Sequence, residues 1–334
     1  MNRQESDGRR NSLGVRIITD EDAASVLHLP DAISAIENVL LELSLGKAKN
    51  MPRIAIETEM GVFRSMSAYS PNLRLACVNQ GFWSSGFRGP KDKAKESGII
   101  SLYDSETAEL CAIIRAPAFN EIRVGAITAV GVKHLANKGA TSVGLIGSSS
   151  LARTQLMAVS SVRTIDEVRV YSREQSNRER FCKDMAGKVS AKLKPVTSAK
   201  EAVVGSEIIL EATDADAATF DGSYLVEGAY VSSTKTGRHG TRQIDDETIK
   251  RASLFVIDFR EQALIDGAGD VLEPVTRGLL DWKKIVELGD VIAKKVPGRV
   301  RASDVVVFKS CGMAISDLAL ARIVLDKLPM TERV

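Results

Sequence analysis

The sequence predicts an α/β protein in two parts: a doubly wound parallel sheet from about residue 141 onward, and an α+β unit ahead of it. Three observations carry this. Strand-length apolar runs from 52 to 115 are separated by turn residues, the pattern of a mainly antiparallel sheet. From T-S-V-G-L-I-G at 141 the rhythm changes to strands alternating with helix-length stretches, which calls for parallel strands joined by crossovers. The first such junction, L-I-G-S-S-S-L-A at 145–152, has the strand–turn–helix form of a phosphate-binding turn.

Residues 1–15 begin M-N-R-Q-E-S-D-G-R-R-N-S, polar and without periodicity, and read as a flexible arm. T-D-E-D at 19–22 opens helical stretches through Leu45, with Pro30 suited to a helix start and Gly46 to a stop. The runs R-I-A-I-E-T-E, F-R-S-M-S-A-Y, L-A-C-V-N-Q-G-F, S-G-I-I-S-L-Y-D and L-C-A-I-I-R-A supply the first sheet. Residues 118–138 read as a long helix, with Ala126, Ala129 and Gly131 allowing close packing.

In the second part come strand 141–147, helix 150–163, strand E-V-R-V-Y-S, helix 174–187, short strand P-V-T, helix 198–204 and strand E-I-I-L-E-A-T. V-E-G-A-Y-V-S-S-T and S-L-F-V-I-D follow as further strands. The stretch from Phe308 to Asp326 reads as an amphipathic helix returning to the first part.

Composition narrows the function classes. Of 334 residues 44% are hydrophobic and 26% charged, ordinary for a globular chain. A net charge of +2, with both signs interspersed, argues against a nucleic-acid or membrane surface, and 5% aromatic content argues against base stacking. Cys77, Cys111, Cys182 and Cys311 form no C-x-x-C and read as reduced thiols, most of them buried. His28, His134 and His239 form no metal-ligand cluster, so no metal is expected. Without a long apolar run or a secretory h-region, a cytoplasmic location is expected.

In a G-x-G-x-x-G/A turn the first glycine permits the tight turn, the second admits the pyrophosphate, and the third position packs helix on strand. Gly147 and Ala152 keep the first and third roles, and Ser149 stands at the second. A side chain there is expected to push the pyrophosphate outward, or to hand it to the hydroxyls of Ser148, Ser149 and Ser150. Free N–H groups at the helix start, including that of Leu151, still suit an anion. Ser172 and Arg173 occupy the corner after the next strand, where a ribose-binding acid would suit NAD. A hydroxyl and a guanidinium suit a 2′-phosphate, which favours NADP, with NAD less favoured. Thr213 closes the following strand and is a lesser candidate.

Several separated signatures resemble the ornithine cyclodeaminase / mu-crystallin family from about residue 16 to 330. They are I-T-D-E-D-A, M-P-R at 51–53, R-x-G-A-x-T-A-V at 123–130, the nucleotide turn, D-F-R-E-Q-A-L at 258–264, E-L-G-D-V-I at 287–292, P-G-R at 297–299 and F-K-S-C-G-M-A-I-S-D-L-A-L-A at 308–321. The resemblance implies a Rossmann dinucleotide domain at 126–311. It also implies a substrate and dimerisation domain at 16–125, completed by 312–334 and pairing through its sheet into a homodimer. Members of the family include cyclodeaminases, ketimine and imino-acid reductases, amino-acid dehydrogenases and nucleotide-binding proteins of mu-crystallin type.

The resemblance places Arg53 and Arg123 at positions that hold a substrate carboxylate, a role suited to forked, permanently charged guanidiniums. The family's lysine falls on R-L-A-C-V-N-Q-G-F, yet no lysine occurs from 51 to 90. Asn79 is the best match for that position, with Ala76 the other. The cyclodeaminase aspartate matches Gly237. Lys235, Arg238 and His239 stand beside it, and Lys235 or His239 is a candidate proton donor to an imine or carbonyl. Trp83, Phe82 and Phe87 are candidates to line an altered pocket, or simply core.

The favoured reading is an NAD(P)-dependent reductase or dehydrogenase for a small imino, keto or amino acid. The alternatives are a non-catalytic nucleotide- or small-molecule-binding homologue and a cyclodeaminase or other lyase with a retained nucleotide. The missing lysine and aspartate weigh against cyclodeamination.

Overall fold

The structure, a computed structural model, describes residues 15–84, 96–115, 117–234 and 241–328. The first sheet is built from β1 (Arg16–Ile18), β2 (Lys49–Asn50), β3 (Ile54–Thr58), β4 (Gly61–Ser70), β5 (Leu75–Ser84), β6 (Glu96–Asp104) and β7 (Leu110–Arg115). The second comprises β8 (Ser142–Ile146), β9 (Glu167–Tyr171), β10 (Lys192–Pro195), β11 (Ile208–Glu211), β12 (Tyr230–Ser233), β13 (Ala252–Ile257), β14 (Ile285–Glu287) and β15 (Val305–Lys309). The helices are α1 (Asp20–Val26), α2 (Leu29–Ser44), α3 (Pro117–Leu135), α4 (Ser150–Val162), α5 (Gln175–Met185), α6 (Ala199–Val203), α7 (Asp246–Arg251), α8 (Arg260–Ile265), α9 (Gly269–Thr276), α10 (Leu288–Ile292) and α11 (Ala314–Lys327).

Local chemistry sets the early boundaries. Thr19 and Asp22 form a reciprocal capping box at α1: the Thr19 hydroxyl accepts from the Asp22 amide at 3.1 Å, and the Asp22 carboxylate accepts from the Thr19 amide at 3.3 Å. Pro30 lies in the first turn of α2, where its missing N–H costs nothing.

The first sheet runs β1-β7-β6-β5-β4-β2, with β3 also on β4. Apart from the parallel β1–β7 pair its ladders are antiparallel. Alternation gives it two unlike faces. Met66, Ala68, Leu75, Cys77, Ile100, Leu102, Ala112 and Ile114 are buried on one, against which α11 packs at β4 and β5. Ile17, Ile54, Ile56, Phe63, Tyr69 and Tyr103 stand exposed on the other.

The second sheet is wholly parallel in the order β10-β9-β8-β11-β12-β15-β13-β14. The chain moves outward from β8 to β9 and β10, then returns to lay β11 on the other flank of β8. This is the topological switch point at which ligands gather in such sheets.

The end of the chain departs from the reading as one amphipathic helix. Phe308 and Lys309 finish strand β15, inserted between β12 and β13 with all five residues buried. V-V-V-F-K is an apolar, β-branched run suited to a strand covered on both faces. The helix itself begins at Ala314 and is not amphipathic over most of its length: residues 314 to 321 are all buried.

Candidate active site

At the nucleotide turn Gly147 has φ +123°, and a Cβ there would lie 2.1 Å from the Ala212 carbonyl oxygen, so only glycine fits. Ser149 has φ −73° and ψ 176°, extended backbone that asks for no glycine. Its hydroxyl accepts from the Ala152 amide at 3.3 Å and caps α4. Serine at the second position thus gives up close backbone approach in exchange for a helix cap. The first main-chain bond of the helix runs from Arg153 N to Ser149 O, which leaves the amides of Ser150 and Leu151 unspent by the helix. Ser149 and Ser150 are exposed, and Ala152 is fully buried.

Ser172 and Arg173 follow β9. The Ser172 hydroxyl donates to Glu174 O at 3.3 Å, while Arg173 is exposed. Beneath them the buried Arg178 of α5 donates from Nη1 to Ser172 O at 3.0 Å, bracing the turn. Beyond β11 the Thr213 carbonyl accepts from Gln243 Nε2 at 2.6 Å, and its hydroxyl accepts from Ala215 N at 3.3 Å. Gly147, Ser148, Ser172, Arg173 and Thr213 therefore share the carboxyl edge of β8, β9 and β11.

The second cluster forms where β15 gives way to α11. Asp258, following β13, accepts from Ser310 Oγ at 2.6 Å and from the amides of Cys311 and Gly312, each at 2.9 Å. That carboxylate fixes a turn in which Gly312 has φ +84°. A Cβ on Gly312 would meet Arg123 Nη1 at 3.2 Å and Arg53 Nη2 at 3.4 Å, so the two guanidiniums converge on this glycine. Arg53 is buried, bonded from Nη1 to Asp266 at 2.9 Å and from Nη2 to the Cys311 carbonyl at 3.3 Å. Arg123 sits on α3 with Nε 3.3 Å from Asp317 Oδ1, and Nη2 donates to Asn120 at 3.0 Å. Its Nη1 is buried without a hydrogen-bond partner.

Asn79 belongs to this cluster. It donates from Nδ2 to Asp317 Oδ2 at 2.8 Å, whereas Ala76 pairs with Tyr69 and Tyr103 on the opposite face of the sheet. Burial pushes the Asp317 carboxyl above its ordinary range, and Arg123 and Asn79 pull the other way. Asp266 is likewise pushed up by burial, with Arg53 opposing. Lys235, Gly237, Arg238, His239 and Phe87 lie outside the described residues. Among the described residues no group of three or more His, Cys, Asp or Glu is placed to hold a metal ion.

Sequence reasoning missed a third feature beneath the sheet's carboxyl edge. Register aligns Glu211 with Ser233 and Ser233 with Lys309. The Lys309 ammonium lies 2.7 Å from Asp270 and donates to Ser233 Oγ at 3.0 Å, with both ion-pair partners buried. Asp270 Oδ1 in turn accepts from the amides of Gln243 and Ile244 at 2.7 and 2.9 Å. Glu211, held by Thr219 Oγ1 at 2.5 Å, is pushed up to about 8 by burial. Of the missed carboxylates, Asp258 and Asp317 lie inside motifs visible in the sequence and Asp266 two residues beyond one, but only the fold brings them to the arginines.

Taken as a class, this is a dinucleotide-fold protein in which the Arg53 and Arg123 guanidiniums meet at the turn that follows β15. Residues 16–332 match the ornithine cyclodeaminase/mu-crystallin family. The chain is 31% identical over 232 residues to a Delta(1)-pyrroline-2-carboxylate reductase of Bacillus cereus, covering 69% of this chain and 71% of that one. Its fold superposes with a TM-score of 0.87 on the Thermococcus litoralis Delta(1)-pyrroline-2-carboxylate reductase in complex with NADH and L-proline, at 29% identity and over 94% and 97% of the two chains. An archaeal alanine dehydrogenase dimer with bound NAD matches with a TM-score of 0.85, 26% identity and coverage of 93% and 95%. The chain belongs to the ornithine cyclodeaminase/mu-crystallin family.

Proposed function

We propose that the chain is a nicotinamide-dinucleotide-dependent reductase of a small imino acid, able to run in reverse on the amino acid. The carrying observation is the meeting of Arg53 and Arg123 at Gly312, on the same sheet edge as the nucleotide turn. Two forked cations with an uncommitted buried donor suit a carboxylate. Proline in the Thermococcus relative and alanine in the archaeal one are both small amino acids, which supports that substrate class.

A bound reduced nicotinamide would supply a hydride to the imine carbon while the nitrogen takes a proton, so C=N becomes CH–NH and the nicotinamide is oxidised. This chain's part is to hold the carboxylate with Arg53 and Arg123 and to orient the substrate nitrogen. Asn79 has its amide end tied to Asp317, so its Oδ1 is the end left to accept from a substrate N–H. We assign the proton to Lys235 or His239, which follow β12 in the sequence. The Ser150 and Leu151 amides, unspent by the helix, suit a pyrophosphate, and Ser172 with Arg173 suits a 2′-phosphate, so NADP(H) is preferred over NAD(H). The exposed apolar sheet face at Ile54, Ile56 and Phe63 is assigned to a second copy of the chain, giving a homodimer.

Titrating NADPH and NADH separately into the protein and following nicotinamide fluorescence tests the cofactor. Tighter binding of NADPH is expected, and no response to either refutes the reading. A second reading, a nucleotide-binding homologue without turnover, is favoured by one observation: Asn79 cannot ionise, and its amide is already committed to Asp317.

A further inference from the structure

We infer that Asp317 is a positioning residue: acting through Asn79, it makes the site prefer a ligand with an N–H beside its carboxylate over one with an oxygen there. This rests on the reading of Arg53 and Arg123 as a carboxylate site and adds what stands next to the carboxylate.

Asp317 lies in the first turn of α11, the helix that packs on β4, β5 and α3. It is buried, and its two oxygens go to two different elements. Oδ2 accepts from Asn79 Nδ2 of β5 at 2.8 Å, and Oδ1 lies 3.3 Å from Arg123 Nε of α3. Asn120, one turn earlier on α3, accepts from Arg123 Nη2 at 3.0 Å. With those two edges of the guanidinium fixed, Nη1 is the end that lies toward Gly312, 3.2 Å from where a Cβ would stand. One carboxylate thus orients both the guanidinium that reaches Gly312 and the amide of Asn79.

An amide side chain has a direction that a hydroxyl lacks. Asn79 carries donors at one end and an acceptor at the other, and the ends exchange only if the whole group turns. An ionised carboxylate only accepts, so Asp317 draws the NH2 end and sends Oδ1 the other way. Burial pushes the Asp317 carboxyl up, and the Arg123 guanidinium opposes that push. Across the ladders Asn79 is flanked by Met66 on β4 and Ile100 on β6, side chains without an N–H or O–H for Oδ1. Among the described residues Oδ1 makes no hydrogen bond, and Asn79 is only half-buried.

An acceptor fixed in this way discriminates by the direction of the hydrogen bond. A protonated imine and an amine each bring an N–H, which Oδ1 accepts. A 2-oxo acid or a ring oxygen sets lone pairs against lone pairs, and both oxygens lose the water they had outside.

The test compares pyrrole-2-carboxylate with furan-2-carboxylate, planar monoanions that differ only in N–H against O at the ring position beside the carboxylate. Both are titrated calorimetrically into the full chain. Pyrrole-2-carboxylate is expected to bind about ten- to a hundredfold more tightly. Asp317→Asn frees the Asn79 amide to turn and is expected to bring the ratio close to one. Adding Asn79→Asp to Asp317→Asn restores a carboxylate–amide pair with the roles exchanged and an acceptor still facing the ligand, so the preference is expected to return. A purely structural role for Asp317 would weaken both acids alike and leave the ratio unchanged. Asn79→Leu, which keeps Asp317 beside Arg123, is also expected to bring the ratio close to one, and it decides the matter if Asp317→Asn does not fold. Equal binding by the unsubstituted chain, a preference that survives Asp317→Asn or Asn79→Leu, or no recovery in the double variant overturns the inference while the carboxylate site stands. Binding of neither acid overturns both. A chain that prefers pyrrole-2-carboxylate through Asn79 yet oxidises no reduced nicotinamide refutes the reductase reading alone.

Discussion

Ser149 and Arg123 show how single residues divide the site's work. Ser149 sits where a dinucleotide turn ordinarily has glycine, but its backbone is extended and its hydroxyl caps α4. Ser149→Ala is therefore expected to cost about 1 kcal/mol in chemical denaturation, and Ser149→Gly only a few tenths. Equal losses for the two would contradict the capping role. Arg123 carries a buried donor without a partner, so Arg123→Ala is expected to raise the KM of any carboxylate substrate about ten- to a hundredfold. An unchanged KM would remove it from the site. The sequence made the serine and both arginines visible as types at motif positions. It could not show that the serine's φ is ordinary, or that Gly312 brings guanidiniums from β3's approach and from α3 together, because both depend on backbone geometry between distant segments.

At the level of elements, the least legible part is the buried row Glu211, Ser233 and Lys309 across β11, β12 and β15. A lysine at the end of a strand reads as a solvated charge, and only the insertion of β15 between β12 and β13 buries it against Asp270. The same insertion explains why Phe308 and Lys309 read as helix: their strand neighbours come from chain positions far upstream. Glu211 makes the burial measurable. Its carboxyl ionises near 4.5 in the unfolded chain and at about 8 in the fold, so between those values the folded chain keeps a proton that the unfolded chain releases. The stability contributed is full below about pH 4.5, falls as pH rises, and is gone by about pH 8. Glu211→Gln stays neutral throughout, so its unfolding free energy should exceed that of the unsubstituted chain by a margin that grows with pH, to the order of 5 kcal/mol at pH 9. A margin that does not change between pH 5 and 9 would contradict the assignment. The central helices and strands, by contrast, were readable because hydrophobic period and turn residues agree there, as in α4 and β8.

For the whole molecule, the two unlike faces of the first sheet matter most. The covered face carries Asn79, bonded to Asp317. The open face exposes Ile17, Ile54, Ile56, Phe63, Tyr69 and Tyr103, and a groove of about 290 Å³ there is lined by Met51, Tyr69, Ala76, Val78 and Tyr103. An apolar face of this kind calls for a partner, and placing a charge in it with Ile56→Lys is expected to turn a dimer into a monomer in light scattering. A chain that is monomeric before substitution would refute the pairing. None of the described helices is long and apolar enough to cross a membrane. In the proposed function the two arginines and the nucleotide turn serve one reduction. The direct measurement is the loss of reduced-nicotinamide absorbance when the chain meets cyclic imino acids, or 2-oxo acids with ammonia, in the presence of NADPH. Turnover that requires the carboxylate and collapses in Arg123→Ala is the predicted result; NADPH binding without oxidation of any member of the panel would contradict it.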